Sequence, residues 1–131
     1  MIGLDSNVVV RYLVQDDPVQ SRRATEIIER RLSTRNPGFI SVVAVAETVW
    51  VLDRAYRFSD EDIVAAIERT LQTDVLVVEN EQEVFAAMTA VADGRGPFAD
   101  ALIGALGSKA GCSATLTFDR GALRLPDFEL A

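Results

Sequence analysis

Residues 1–14 read MIGLDSNVVVRYLV, and the fold turns on how they are divided. Residues 1–4 are a short apolar strand that ends at a carboxylate, Asp5. Ser6–Val14 then carries helical periodicity, with Asp5 or Ser6 as the cap. A strand running straight into a cap and a helix opens a βα unit, and the rest of the chain repeats that grammar. Asp16-Asp17-Pro18 is a break and a new start, since proline suits a first helical position. The helix it starts runs to about Ser33, with Ala24, Ile27, Ile28 and Leu32 facing inward. Arg35-Asn36-Pro37-Gly38 is a turn. Residues 39–42 form a second strand, followed by a long helix to about Tyr56. Ser59 caps another, with Asp60, Glu61 and Asp62 in its first turn. Residues 74–78 are a buried strand, Glu81–Ala92 a helix and residues 93–97 a loop. After a further helix, residues 114–118 form a fourth strand ending at Asp119, and Phe128–Leu130 a last edge strand. This alternation predicts an α/β fold with a mostly parallel, four- to five-stranded central sheet and helices on both faces. No repeat, low-complexity tract or interdomain linker interrupts it.

The chain has 131 residues, enough for one domain with a core, and its 49% hydrophobic and 25% charged content is that of a globular protein. No apolar run is long enough for a membrane span, and the N-terminus lacks the basic region of a signal peptide. Cys112 is the single cysteine. That excludes an intrachain disulfide and fits a reducing cytoplasm, the location expected here. There is no histidine, and Lys109 is the only lysine beside twelve arginines. Histidine-based nucleophile activation and His-built zinc sites are thereby excluded, which leaves carboxylates and a bound metal as the instruments of any catalysis. A net charge of −7 argues against a protein that coats nucleic acid nonspecifically. The charge is uneven: residues 1–35 carry six basic and five acidic side chains, residues 36–131 seven and fifteen.

In open α/β sheets ligands bind outside the carboxyl ends of the strands. Two strands end in aspartate, Leu4-Asp5 and Phe118-Asp119, which puts both carboxylates on one edge if both strands are central. PFADALIGALGSKAG, residues 97–111, adds a third. Phe98, Leu102 and Leu106 form an apolar stripe widened by Ile103, and Asp100 lies beside it. Its neighbours Gly104 and Gly107 lack side chains, so something can approach that flank closely. The fourth is Glu47, the only charge in VVAVAETVWVL, residues 42–52. A carboxylate buried among such neighbours costs several kcal/mol unless it is paired or metal-bound. Hard oxygen donors without His or Cys point to Mg²⁺ or Mn²⁺.

Each residue also has a purely structural reading. Asp5 can cap the helix after it, Asp119 can serve the Asp-Arg-Gly turn, Asp100 can complement its helix dipole, and Glu47 can pair with Arg11 or Arg54. Ser6 and Asn7 are common cap residues, Thr117 a common strand residue, and Tyr12 and Trp50 common core or interface residues. Along residues 18–33, Arg23 and Arg30 share a stripe with Glu26 between them. That is either a solvated salt-bridged face or, at Arg22, Arg23 or Arg31, a phosphate contact.

Four blocks, MIGLDSNVVVRYL, SVVAVAETVWVL, FADALIGALG and ATLTFDRGALRLPDFEL, taken together and in this order, resemble the PIN-domain ribonucleases, specifically VapC-type toxins of bacterial type II toxin–antitoxin systems. The resemblance covers essentially the whole chain, residues 1–131, as a single PIN-like domain. It implies an acidic metal site on Asp5, Glu47, Asp100 and Asp119, with Asp5 and Asp100 binding the metal and Glu47 and Asp119 acting directly or through water. The family's hydroxyl and amide beside the site fall on Ser6, Asn7 and Thr117, Ser6 replacing the commoner threonine. Many relatives carry an aspartate three positions before the one matched by Asp100, where this chain has Pro97. The resemblance further implies a Mg²⁺- or Mn²⁺-dependent endoribonuclease of structured RNA such as transfer or ribosomal RNA, leaving 5′-phosphate and 3′-hydroxyl ends. It also implies inhibition by a cognate VapB-type antitoxin, and homodimers. The alternative within the same fold is an inactive RNA- or partner-binding module.

Two other families that use strand-end aspartates fit poorly. A haloacid-dehalogenase-type phosphatase needs a second aspartate where this chain has Asn7, and a lysine for which only Lys109 is available. A receiver-like domain needs an aspartate after its third strand, where the residue is Glu79.

Overall fold

The computed structural model describes residues 1–131, which divide into two compact units, Met1–Glu79 and Asn80–Ala131. The first unit holds a three-stranded parallel sheet of β1 (Ile2–Gly3), β2 (Gly38–Ile40) and β3 (Leu76–Val78), in the order β1-β2-β3. Four helices connect these strands: α1 (Ser6–Val14), α2 (Pro18–Glu26), α3 (Val42–Arg54) and α4 (Asp60–Leu71). The second unit holds α5 (Glu81–Ala92), α6 (Phe98–Lys109), β4 (Thr115–Thr117), a 3₁₀ turn (Arg120–Arg124) and β5 (Phe128–Leu130). Its β4 and β5 pair in parallel as a two-stranded sheet. The α/β class and the five strands agree with expectation. The strands form a sheet of three and a sheet of two, and no strand is longer than three residues, so each ladder rests on few hydrogen bonds.

Caps set the element boundaries. Asp5 accepts from the Ser6 N–H, Asp17 from the Val19 and Gln20 N–H groups, and Ser59 from that of Asp62, each ending a preceding segment where a side chain can satisfy a free helical donor. The second strand was expected over residues 39–42, but the chain turns helical at Val42. Ser41 Oγ accepts from Ala44 N–H at 3.1 Å, and Glu79, at the end of β3, accepts from Val42 N–H at 2.9 Å. Two acceptors at the start of α3 outweigh the β preference of Val42 and Val43. The helix from Pro18 ends in a π turn, Ile27–Arg31, closed by Leu32 N–H on the Ile27 carbonyl at 2.9 Å.

Ile28, Ile40 and Leu52 are the most deeply buried large side chains of the first unit, and Val84 of the second. Residues 74–78 are not the expected buried strand. β3 is a sheet edge, Val78 is buried and Val77 stands 41% exposed, as alternation on an edge strand dictates. On α6 the expected stripe holds at Phe98 and Leu102, but Ile103 is 54% exposed and Ala101 takes its place inside. The glycine flank of α6 receives the unit's own strands. A Cβ on Gly104 would lie 2.7 Å from the Phe128 ring, and one on Gly107 3.0 Å from Thr115 Oγ1. Helix and sheet approach there because the side chains are missing.

Candidate metal centre

The first unit brings Asp5, Ser6 and Glu47 together. Asp5 sits just beyond the carboxyl end of β1 in extended conformation and caps α1, its Oδ1 accepting from Ser6 N–H at 2.7 Å. Ser6 is buried, and its hydroxyl donates to Glu47 Oε1 in a short hydrogen bond. Asp5 Oδ1 is a longer second acceptor for that hydroxyl, at 3.4 Å. One serine thus holds both carboxylates, one through its backbone N–H and one through its side chain. Glu47 reaches it from the second turn of α3, whose start is fixed by Ser41 and Glu79.

Neither carboxylate has a cationic partner. The ion pairs of the chain are Arg11–Asp16, Arg54–Asp53 and Lys109–Glu83. The pairing of Glu47 with Arg11 or Arg54 therefore does not occur. The burial expected for Glu47 does not occur either. α3 buries Val45, Thr48, Val49 and Leu52, whereas Glu47 is exposed between Val43 and Trp50, themselves 72% and 60% exposed. The sequence shows that Glu47 has apolar neighbours but not that they lie on the outer face.

In the second unit, Asp100 lies in the first turn of α6 and is half-buried. Pro97 is the cap position and carries no side-chain cap bond, so Asp100 is not a capping residue. Asp119 is exposed, and its Oδ1 accepts from Gly121 N–H at 2.8 Å, the turn role open to it from sequence. Thr117 Oγ1 accepts from Asp119 N–H at 3.0 Å and so fixes the turn that presents Asp119. Asn7 is exposed at the start of α1.

The donor chemistry fits a hard divalent cation. It consists of carboxylate and hydroxyl oxygens in a chain without histidine, and Asp5 and Glu47 offer two like charges on one hydroxyl without a counter-ion. Two anions so placed repel, and a cation is the natural relief. Within either unit, no three His, Cys, Asp or Glu side chains gather closely enough to hold a metal by themselves.

A polar network elsewhere in the same unit has no local signal in the sequence. Arg11 donates to Asp16 Oδ1 at 3.1 Å, to the Tyr56 hydroxyl at 2.9 Å and, through Nε, to Gln20 Oε1 at 2.9 Å, while Tyr56 donates to Asp16 Oδ2 at 2.8 Å. The network ties the α1–α2 turn to the end of α3. The Tyr56 hydroxyl, assisted by Arg11, holds the Asp16 carboxyl below its usual range, and the same bond to Asp16 pushes the Tyr56 phenol up. A depressed Asp16 contributes stability above its ordinary pKa of about 3.9 and loses it as pH falls through the folded value. Tyr56→Phe should therefore melt below wild type at pH 7. The gap should narrow below about pH 4. A gap that stays constant down to pH 3 would show that Asp16 is not its source. Tyr12 is a core residue, buried with the Arg69 guanidinium 4.8 Å above its ring.

Residues 2–127 match the family model described as PIN domain. No curated protein compared with the chain matches it. No helix is long and apolar enough to cross a membrane.

Proposed function

Because the chain belongs to the PIN domain family, whose members are generally nucleases and typically use divalent metal ions, we propose that it is a Mg²⁺- or Mn²⁺-dependent endoribonuclease of the VapC toxin type. In this reading it cleaves structured cellular RNA, works in the cytoplasm as a homodimer and is restrained by a VapB-type antitoxin. The observation that carries it is the Ser6 bridge, which presents Asp5 and Glu47 as an unneutralised carboxylate pair at the carboxyl edge of a parallel sheet.

Asp5, Glu47, Asp100 and Asp119 are the proposed ligand set, the last two resting on the sequence resemblance. When bound, the metal supplies an activated water and neutralises charge developing on the scissile phosphate. The chain's own residues do the positioning. Ser6 fixes the two carboxylates, Thr117 fixes the turn bearing Asp119, and Asn7 offers an amide donor to a phosphate or ribose oxygen. With no histidine and a single lysine, a carboxylate is the chain's natural proton acceptor.

The test is to induce expression in a bacterial host and sequence the RNA ends. New 5′-phosphate ends at a few defined positions, accompanied by growth arrest that a co-expressed antitoxin relieves, are expected. Unchanged RNA ends with normal growth would favour the inactive binding module instead.

A further inference from the structure

We propose that the groove between α1 and α2 carries the phosphodiester backbone of the RNA away from the Asp5–Glu47 pair, with Arg22 and Arg23 as its phosphate contacts. This rests on the nuclease reading and adds to it the path of the substrate. The groove is open to solvent, has a volume of about 580 Å³ and is lined in part by Asn7, Arg11, Gln20, Arg22 and Arg23. Asn7 directly follows, in the chain, the serine that holds both carboxylates, so the lining of the groove starts one residue from that serine.

The cations in the groove divide into one that is engaged and two that are not. Arg11 is spent on Asp16, Tyr56 and Gln20. By accepting from Arg11, Gln20 Oε1 leaves its amide N–H₂ as a neutral donor for an anion. Arg22 and Arg23 form no ion pair. Glu26 also lines the groove, four residues from Arg22 and three from Arg23, a spacing that brings opposite charges together on a helix, yet neither arginine pairs with it. The salt-bridged face open from the sequence is therefore not what forms.

The surroundings favour a polyanion. Residues 7–35, which span both helices of the groove, carry six arginines and four acidic side chains in a chain of net charge −7, so the local charge is opposite in sign to that of the molecule. RNA repelled by the rest of the surface meets attraction here, in a groove whose lining starts at Asn7. A phosphate chain also needs no base-specific pocket, which matches a groove of arginine, amide and aliphatic side chains with a single carboxylate, Glu26.

The experiment measures binding of a fluorescein-labelled hairpin RNA in Ca²⁺, over a series of salt concentrations, to three proteins. These are wild type, Arg22→Gln/Arg23→Gln, and the charge-matched control Arg57→Gln/Arg124→Gln. Removing two phosphate contacts should lower the salt slope by about 1.4–1.8, depending on whether they meet the loop or the stem, and weaken binding roughly ten- to sixtyfold at 0.1 M salt. The control should follow wild type, and all three should melt alike. Wild-type affinity and slope in the groove variant, or equal weakening in the control, would overturn the proposal while leaving the nuclease reading intact. So would a groove variant that binds RNA normally but escapes a co-expressed antitoxin, which assigns the groove to a protein. A wild type that neither binds nor cleaves RNA would overturn both.

Discussion

Asp100→Asn is expected to reduce RNA cleavage by about 10²–10³-fold or more, the scale seen when one preorganised electrostatic group is removed from an active site. The fold should survive. Asp100 does not cap α6, and a first-turn carboxylate contributes only about 0.3–1 kcal/mol through the helix dipole. Melting temperatures of wild type and variant in EDTA should agree within a few degrees, with cleavage lost at saturating Mg²⁺ and Mn²⁺. A variant that cleaves at the wild-type rate removes Asp100 from the site. One that melts far below wild type makes Asp100 a structural residue. Asp100→Ala is the companion variant, because it loses the charge without retaining an amide that could still bind weakly.

The second large effect is on stability. Asp5 does two jobs, and asparagine separates them. Asn caps a helix about as well as Asp, so Asp5→Asn keeps the bond from Ser6 N–H. What it removes is a negative charge that shares the Ser6 hydroxyl with Glu47. Without metal, the variant should therefore be as stable as wild type or more so. With metal the order reverses. A ligand bound only to the native state adds RT ln(1 + [L]/Kd), about 2.7 kcal/mol at a hundredfold excess over Kd. For a chain of this length that is a rise of about 10 °C. Thermal melts in EDTA and in Mn²⁺ should show the full rise for wild type and a much smaller one for Asp5→Asn. If the variant melts well below wild type in EDTA and neither protein responds to Mn²⁺, Asp5 is a cap and nothing more. Loss of stability beside an active site is the usual cost of holding like charges together, and relief on neutralisation is its signature.

What could be read from the chain followed the range of the interactions involved. Asp5, Asp17 and Ser59 were legible as helix starts because capping is decided by a side chain and an N–H two or three residues away at most. The start of α3 was misplaced by one residue because part of its cap comes from Glu79, 37 positions further on. The π turn at Ile27–Arg31 differs from an α-helix by one hydrogen-bond register, and its composition carries no mark of that. Asp5 and Glu47 are legible as chemically significant, but the apolar neighbours of Glu47 predict burial, and it is exposed. Its link to Asp5 runs through Ser6, 41 residues away, and no local pattern reports it. Gly104 and Gly107 signalled a close approach correctly. The visitors are Phe128 and Thr115, which only the packing of the second unit reveals. The Arg11–Asp16–Tyr56 network was invisible for the same reason, since Tyr56 reaches back 45 residues to Arg11.

The most direct test is cleavage of a labelled structured RNA by the purified protein, first in EDTA, then after excess Mn²⁺ or Mg²⁺ is restored, with the chemistry of the product ends determined. No cleavage in EDTA, recovery with either metal, and fragments bearing 5′-phosphate and 3′-hydroxyl ends are the predicted result. Cleavage that persists in EDTA, or fragments ending in 2′,3′-cyclic phosphate, would contradict a carboxylate-held metal as the source of the activity.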